Sequence, residues 1–316
     1  MLTPIKLKSV CKEIIWGGNR LKNEYNKIAD LNNIAESWEL TVRDDGMNVI
    51  DGGEFDGLTM SEYIEKNGFS VVTNKELDRF PLLIKFIDAE DNLSIQVHPD
   101  DEYGMKTANS LGKTEMWYVI DAKPGAKLVY GLKKSCTIDM LKNAIENNNV
   151  EEMLNYVPVK KGDVFFIPSG LVHAIGAGIL LAEIQQNSNI TYRVYDYNRL
   201  GKDGKPRELH VQDALNVIVN RTEEEIEKIR FSTNVKNKNS LASCEYFKVD
   251  KFNICGACEF STNAESFNSI LCLDGNGNIE FSGTVFPIIK GDSYYIPANL
   301  GQYTVSGNLE IIISKI

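Results

Sequence analysis

This chain of 316 residues has only three histidines (His98, His173 and His210), three tryptophans and nine prolines. It has no apolar run of the length a membrane-spanning helix needs, which excludes that class of membrane protein. Positive charge is also short, since 34 lysines and arginines against 44 acids give a net charge of −10 and a pI near 5.0. That balance argues against nucleic acid as a partner, and any anionic ligand must be met by a few placed cations. The opening Met1-Leu2-Thr3-Pro4-Ile5-Lys6-Leu7-Lys8 lacks the apolar core of a signal peptide, so a cytoplasmic protein with no membrane partner is expected. The six cysteines (Cys11, Cys136, Cys244, Cys255, Cys258 and Cys272) are scattered, which fits reduced thiols better than a disulfide framework. Cys255-Gly256-Ala257-Cys258 is the one close pair. No second pair completes a four-thiolate zinc site, and the apolar run around it predicts buried, inert thiols.

What is present is ordinary in bulk: 43% hydrophobic and 25% charged residues describe a globular protein long enough for two domains. The most informative stretch is Lys161-Gly162-Asp163-Val164-Phe165-Phe166-Ile167-Pro168-Ser169-Gly170-Leu171-Val172-His173. It recurs as Lys290-Gly291-Asp292-Ser293-Tyr294-Tyr295-Ile296-Pro297-Ala298-Asn299-Leu300-Gly301-Gln302, with Gln302 where the histidine would stand. One chain thus holds a working copy and a blank.

Short runs rich in β-branched and aromatic residues, broken by Gly, Pro, Asn and Asp, predict a mainly β protein. Strands are expected at Leu82 to Ile87, Ser94 to Val97, Met116 to Ile120, Val164 to Ile167, Ile179 to Ile184, Ser293 to Ile296 and Leu309 to Ile313. Pro168 and Pro297 end their strands because proline cannot donate to a sheet ladder. Helices are few. Leu58 to Asn67 is one, Thr137 to Leu154 reads as two short ones, and Leu209 to Ile229 is the clearest, with Thr222 and Glu225 as a capping box that restarts it. The polar segment Ser232 to Ser240 marks a domain boundary, giving 1–235 as an N-terminal domain and 236–316 as a smaller β domain.

Two of the three histidines sit where a metal would want them. Gln96 and His98 share a strand face, Glu115 opens the next apolar strand, and His173 follows the strand that Pro168 ends. Imidazole, carboxylate and amide oxygen together suit a borderline divalent ion such as zinc. The spacing from Gly162 through Pro168 and Gly170 to His173 resembles the second conserved motif of the cupin superfamily, small β-barrels that hold a metal inside. The departures are also informative: Gln96 replaces the first histidine of the usual His-x-His pair, and Glu115 lies farther on, so a loop must intervene.

Those departures resemble one family. Lys85, Gln96-x-His98-Pro99, Gly112-Lys113-Thr114-Glu115-Met116-Trp117, His173, Glu183 and Tyr192-Arg193 follow the order and spacing of type I mannose-6-phosphate isomerases. Trp16-Gly17-Gly18 and Glu36-Ser37-Trp38-Glu39 agree, and the compact length is similar to the shorter bacterial branch. The resemblance implies two cupin-type (jelly-roll) β-barrels with a few short helices, the N-terminal one binding zinc, one ion per chain, and the C-terminal one degenerate and without metal. It implies Gln96, His98, Glu115 and His173 as zinc ligands and Arg193 as the catalytic arginine, with Lys85, Ser94, Lys113 and Glu183 lining the substrate pocket. The implied reaction interconverts mannose 6-phosphate and fructose 6-phosphate through an enediol, in mannose metabolism.

Residue chemistry agrees with that reaction. Proton removal beside a carbonyl builds negative charge on oxygen, which zinc as Lewis acid and the fixed cation of Arg193 would stabilise, with Lys113 a second site for phosphate. The base stays open between Glu183, a lysine and a zinc-bound water. By alternation alone Arg193 reads as a strand residue paired with Asp196, and only the resemblance reverses this. Glu183 and Lys85 interrupt apolar runs and each demand a polar partner. His210 reads as an ordinary packing or capping residue. Iron-dependent dioxygenation is the alternative enzyme class, disfavoured by Gln96, and a non-catalytic sugar-binding module is the alternative outside enzymes.

Overall fold

The computed structural model describes residues 2–201, 204–219, 221, 223–231 and 239–316, and it is mainly β with short helices between strands. It divides into two compact units, Met1–Lys12 with Asn19–Phe86 and Asn234–Ile316, and Glu13–Gly18 with Ile87–Thr233. The strand Leu82–Ala89 runs across that boundary. Among the described residues no helix is long and apolar enough to cross a membrane.

The second unit carries the candidate chemistry. One sheet has the strand order Leu154–Pro158, Lys127–Leu132, His173–Ala174, Ile95–Val97, Tyr192–Tyr195. Side chains alternate along each strand, so Val129, Ala174, Ile95, Val97, Tyr192 and Val194 face an apolar cluster shared with Leu141, Val150 and Ala214. Tyr130, His173, Gln96 and Arg193 must then point the other way. They are direct cross-strand neighbours in that order. In a second sheet Glu115–Ala122 lies between Val164–Ile167 and Ile179–Gln186, with Glu115 opposite Ile167 and Gln185, and Trp117 opposite Phe165 and Glu183.

The gap between His98 and Glu115 is filled by a helix the sequence reading missed, Asp101–Ala108. The Asp100 carboxylate accepts the Tyr103 N–H at its start, and Asn109 closes it in the left-handed conformation. Asp101 then accepts both the Gly112 N–H (2.7 Å) and the Gln186 amide (2.9 Å), tying the inserted segment back to the sheet. A β-carbon on Gly112 would lie 2.4 Å from the Asp100 carbonyl carbon. Gly112→Ala is therefore expected to cost about 1–3 kcal/mol, as overpacking does. An unchanged denaturation midpoint would show that this approach relaxes freely.

The two copies of the repeated motif fold alike down to single hydrogen bonds. Gly162 and Gly291 both take positive φ, +90° and +91°, at the turn. Gly162 N–H donates to Val119 and Val119 N–H to Asp163 (2.8 and 2.9 Å), and Gly291 and Cys272 make the matching pair (2.9 and 3.0 Å). Gly170 and Asn299 occupy the same left-handed position three residues before His173 and Gln302. Glycine and asparagine are the residues that tolerate it best.

The first unit is built on an eight-stranded sheet. Its order runs Ser240–Ser243, Lys248–Thr262, Gly301–Lys315, Asn268–Phe281, Ser293–Ile296, Ile5–Lys8, Val49–Ile50, with Thr284–Ile289 also paired to Asn268–Phe281. The N-terminal strand is thus a member of the sheet that holds the second motif copy. One expectation needs correction here. Cys255 is exposed on the open side of the long strand Lys248–Thr262, and Cys258, on the other face, is half-buried against the apolar cluster, so the expected burial of that pair fails. The helix expected over Leu209 to Ile229 with a restart within it is, as expected, interrupted, forming Val211–Val217 and Glu223–Phe231. Thr222, half of the expected capping box, lies outside the described residues, as does most of the Ser232 to Ser240 segment. Thr137 to Leu154 resolves into the helix Ile138–Glu146 and the 3-10 turn Val150–Met153.

Candidate metal centre

His173, His98 just past the end of the neighbouring strand Ile95–Val97, and Glu115, from the strand Glu115–Ala122, come together in the second unit, all fully buried, with one ligand atom from each lying within 4.8 Å of the others. The two Nε2 atoms are 3.1 Å apart, Glu115 Oε1 is 3.4 Å from His173 Nε2, and Glu115 Oε2 is 3.7 Å from His98 Nε2. Tetrahedral donors about 2.0–2.1 Å from a zinc ion stand about 3.3–3.4 Å from one another, so the observed separations bracket what such an ion demands. His173 Nδ1 lies 2.8 Å from the Leu171 carbonyl, which accepts its N–H and leaves the Nε2 lone pair facing the cluster. Burial pushes the His173 imidazole down to about 4, so it is neutral at physiological pH, as a metal ligand must be. A set of two imidazoles and one carboxylate fits zinc or a similar transition ion better than calcium or magnesium, which favour oxygen.

Gln96 reaches the same place from the next strand, its Nε2 3.4 Å from His173 Nε2. Turning that amide over would present its oxygen instead. Gln96 and Arg193 are partly exposed where the triad is buried, so they mark the solvent side.

Two further charges line the cluster. Lys113 Nζ is 2.9 Å from Glu115 Oε2, 3.2 Å from His98 Nε2 and 3.9 Å from Glu183 Oε1. The Glu183 carboxylate accepts the Trp117 indole N–H at 3.0 Å. Lys113 and Thr114 are fixed by backbone bonds, Lys113 N–H to Pro99 and Thr114 N–H to the Gln186 side chain (3.0 and 2.8 Å), so the turn that delivers Lys113 and Glu115 is held on both sides.

Arg193 donates from Nε to Ser94 Oγ (3.3 Å) and from NH1 to the Glu208 carbonyl (2.7 Å). Its expected partner is engaged elsewhere. Asp196 accepts Arg207 Nε and NH2 (2.6 and 2.7 Å) and Arg199 NH2 (2.6 Å), so pairing by alternation fails. Asp196 lies just past the end of the strand Tyr192–Tyr195, whose register shifts between Arg193 and Tyr195, and it faces the returning Arg207 instead. Burial works to raise the Asp196 carboxyl, but the hydrogen bonds and charges of Arg207 and Arg199 outweigh it and hold it below the usual carboxylate range.

With this geometry in hand, comparison with known proteins is decisive. Residues 5–128 match the model of the phosphomannose isomerase type I catalytic domain, and residues 237–316 that of the mannose-6-phosphate isomerase cupin domain. The mannose-6-phosphate isomerase ManA of Bacillus subtilis is 38% identical over 322 residues, spanning 99% of each chain. The chain belongs to the type I mannose-6-phosphate isomerases. A mannose-6-phosphate isomerase of Streptococcus mutans is 34% identical over 99% of this chain and 98% of its own. The crystal structure of the mannose 6-phosphate isomerase from Bacillus subtilis superposes with a TM-score of 0.89 at 34% identity, covering 99% of this chain and all of that one. The fold is accordingly of cupin type.

Within this family member, Lys85 belongs to the first unit, where its ammonium lies 3.5 Å from Glu36 and 5.4 Å above the Trp38 ring. Gln302, which replaces the histidine in the second copy, is exposed and donates to Glu259 at 3.0 Å. His210 does more than pack. It stands at the start of Val211–Val217 without a side-chain cap bond, and its Nδ1 accepts the Arg193 backbone N–H at 3.3 Å. No spacing in the sequence points to that contact.

Proposed function

We propose that this protein is a zinc-dependent aldose-ketose isomerase that interconverts mannose 6-phosphate and fructose 6-phosphate through an enediol. Family membership supports the substrate pair, and the observation that carries the chemistry is the buried His98, Glu115 and His173 cluster with Lys113 and Glu183 beside it.

The reaction moves a proton from the carbon beside a carbonyl, and its cost is the negative charge that develops on the sugar oxygens. Zinc held by His98, Glu115 and His173, with Gln96 as the fourth residue, would supply a Lewis acid for that charge. Arg193 adds a permanent cation on the solvent side, and its planar donors also suit a hydroxyl pair or a phosphate. Lys113 and Glu183, 3.9 Å apart, form an ammonium and carboxylate pair in which either member can hand a proton to the substrate or take one, according to which is charged. Ser94 supports Arg193, Lys113 is the second candidate for the phosphate, and Lys85 is assigned to the lining of the substrate pocket. The chemistry is assigned to residues 1–235 as a metal-binding cupin barrel. Residues 236–316 are assigned to a second, degenerate barrel, supported by the separate family-model match over 237–316 and by the absence of any histidine there.

The test is a coupled assay of fructose 6-phosphate formation before and after chelation, with metal content determined on the same sample. Activity should vanish on chelation and return with about one zinc per chain. Bound metal without isomerase activity would keep the site and discard the substrate.

A further inference from the structure

The segment after Arg193 turns back on it. Asp196 is buried and grips Arg207 through two hydrogen bonds and Arg199 through a third. An isolated bridge between Leu200 and Pro206 closes the same return. Arg207 is followed directly by Glu208 and, two positions after that, by His210, the two residues that hold Arg193. The Glu208 carbonyl accepts its NH1 at 2.7 Å, the His210 N–H donates to its carbonyl at 2.8 Å, and His210 Nδ1 accepts its backbone N–H. Arg193 is therefore clamped at main chain and guanidinium by one short stretch, Glu208 to His210. That stretch is moored at Arg207, beside Glu208.

We infer that Asp196 is a positioning residue for the isomerase reaction, which acts by fixing Arg207 and through it the Glu208 to His210 clamp on Arg193. The inference rests on the reading that Arg193 meets the substrate. Two physical features give it force. A bidentate arginine and carboxylate pair fixes an angle as well as a distance, so it orients the following peptide. Asp196 also gives its hydrogen bonds to Arg207 and Arg199, so the Arg193 guanidinium is hydrogen-bonded to a serine hydroxyl and a carbonyl and feels Asp196 only through its charge.

The experiment is a double-mutant cycle in the zinc-loaded enzyme. Asp196→Asn is expected to lower kcat about 10- to 100-fold, the effect of misplacing a group by about 1 Å. KM and zinc content should change less than twofold. Asp196→Glu, which can still hold Arg207, should recover much of the rate. In an Arg193→Ala background the same Asp196→Asn change should alter kcat less than twofold, because the residue it positions is gone. A full extra loss in that background would overturn the inference by showing that Asp196 acts elsewhere, and so would a wild-type kcat in Asp196→Asn. A wild-type rate in Arg193→Ala alone would instead remove the reading of Arg193 on which the inference stands. Should Asp196→Asn fail to fold, Arg207→Met, at a more exposed position, breaks the same pair and carries the same expectations.

Discussion

Replacing His98 by alanine is expected to remove bound metal and isomerase activity together, with kcat falling by about three orders of magnitude. A Lewis acid contributes several kcal/mol to stabilising charge in such a transition state, and each 1.4 kcal/mol is about tenfold in rate. His98 supplies one of only two imidazoles in the cluster, and its Nε2 lies 3.1 Å from that of His173. Losing it leaves one imidazole and one carboxylate, too few to hold the ion against water. Glu115→Ala should be worse in a second respect. It removes the carboxylate 2.9 Å from the buried Lys113 ammonium and leaves that charge without its closest acid. Breaking a buried pair costs about 3–5 kcal/mol, so Glu115→Ala should unfold more easily as well as lose metal, whereas His98→Ala should mainly lose metal. Zinc content, kcat and the denaturation midpoint on the same three proteins separate the cases. Full activity in a metal-free His98→Ala protein would end the metal reading.

How far the sequence could have been read differs from residue to residue, for physical reasons. The metal cluster was legible because histidine is scarce here and each of its members lies in a motif whose turn and strand are locally determined. Gly162 needs positive φ, Pro168 ends a strand, and His173 follows at a fixed distance. The repeat was legible for the same reason, and its two copies share turn geometry and backbone bonds. The helix Asp101–Ala108 was missed although its signal was present, an aspartate cap with two acids in the first turn, because its apolar face is too short to show a period. The Arg193 surroundings were illegible in a stronger sense. Asp196 lies past the end of a strand whose register shifts at Arg193, and the partners come from a return loop whose course no local rule dictates. The exposure of Cys255 follows from which side of the strand Lys248–Thr262 remains uncovered, and residue types alone do not decide that.

Deleting residues 241–316 is expected to leave no soluble folded protein, even though the metal cluster lies wholly in the other unit. The N-terminal strand Ile5–Lys8 pairs on one side with Ser293–Ile296, Ile5 opposite Tyr295 and Lys6 opposite Tyr294. Tyr295 is fully buried, packs on Tyr63, Phe80 and Phe267, and donates to the Val71 carbonyl at 2.8 Å. The turn of the second motif copy is held by N-terminal lysines. Lys6 pairs with Asp292 at 2.9 Å, and Lys27, buried against Glu39, also donates to the Gly291 carbonyl at 2.5 Å. Truncation would expose Tyr63, Phe80 and the Ile5 strand at about 1.5–3 kcal/mol for each large side chain. It would also orphan backbone groups at about 1–3 kcal/mol each, against a total stability of about 5–15 kcal/mol. A milder version of the test keeps the chain whole. Tyr295→Ala should destabilise by about 3–5 kcal/mol while zinc content per folded chain stays unchanged. A soluble, active 1–240 fragment, or a Tyr295→Ala protein of wild-type stability, would show that the second copy of the motif does not hold the N-terminal strand in place and must be kept for another reason.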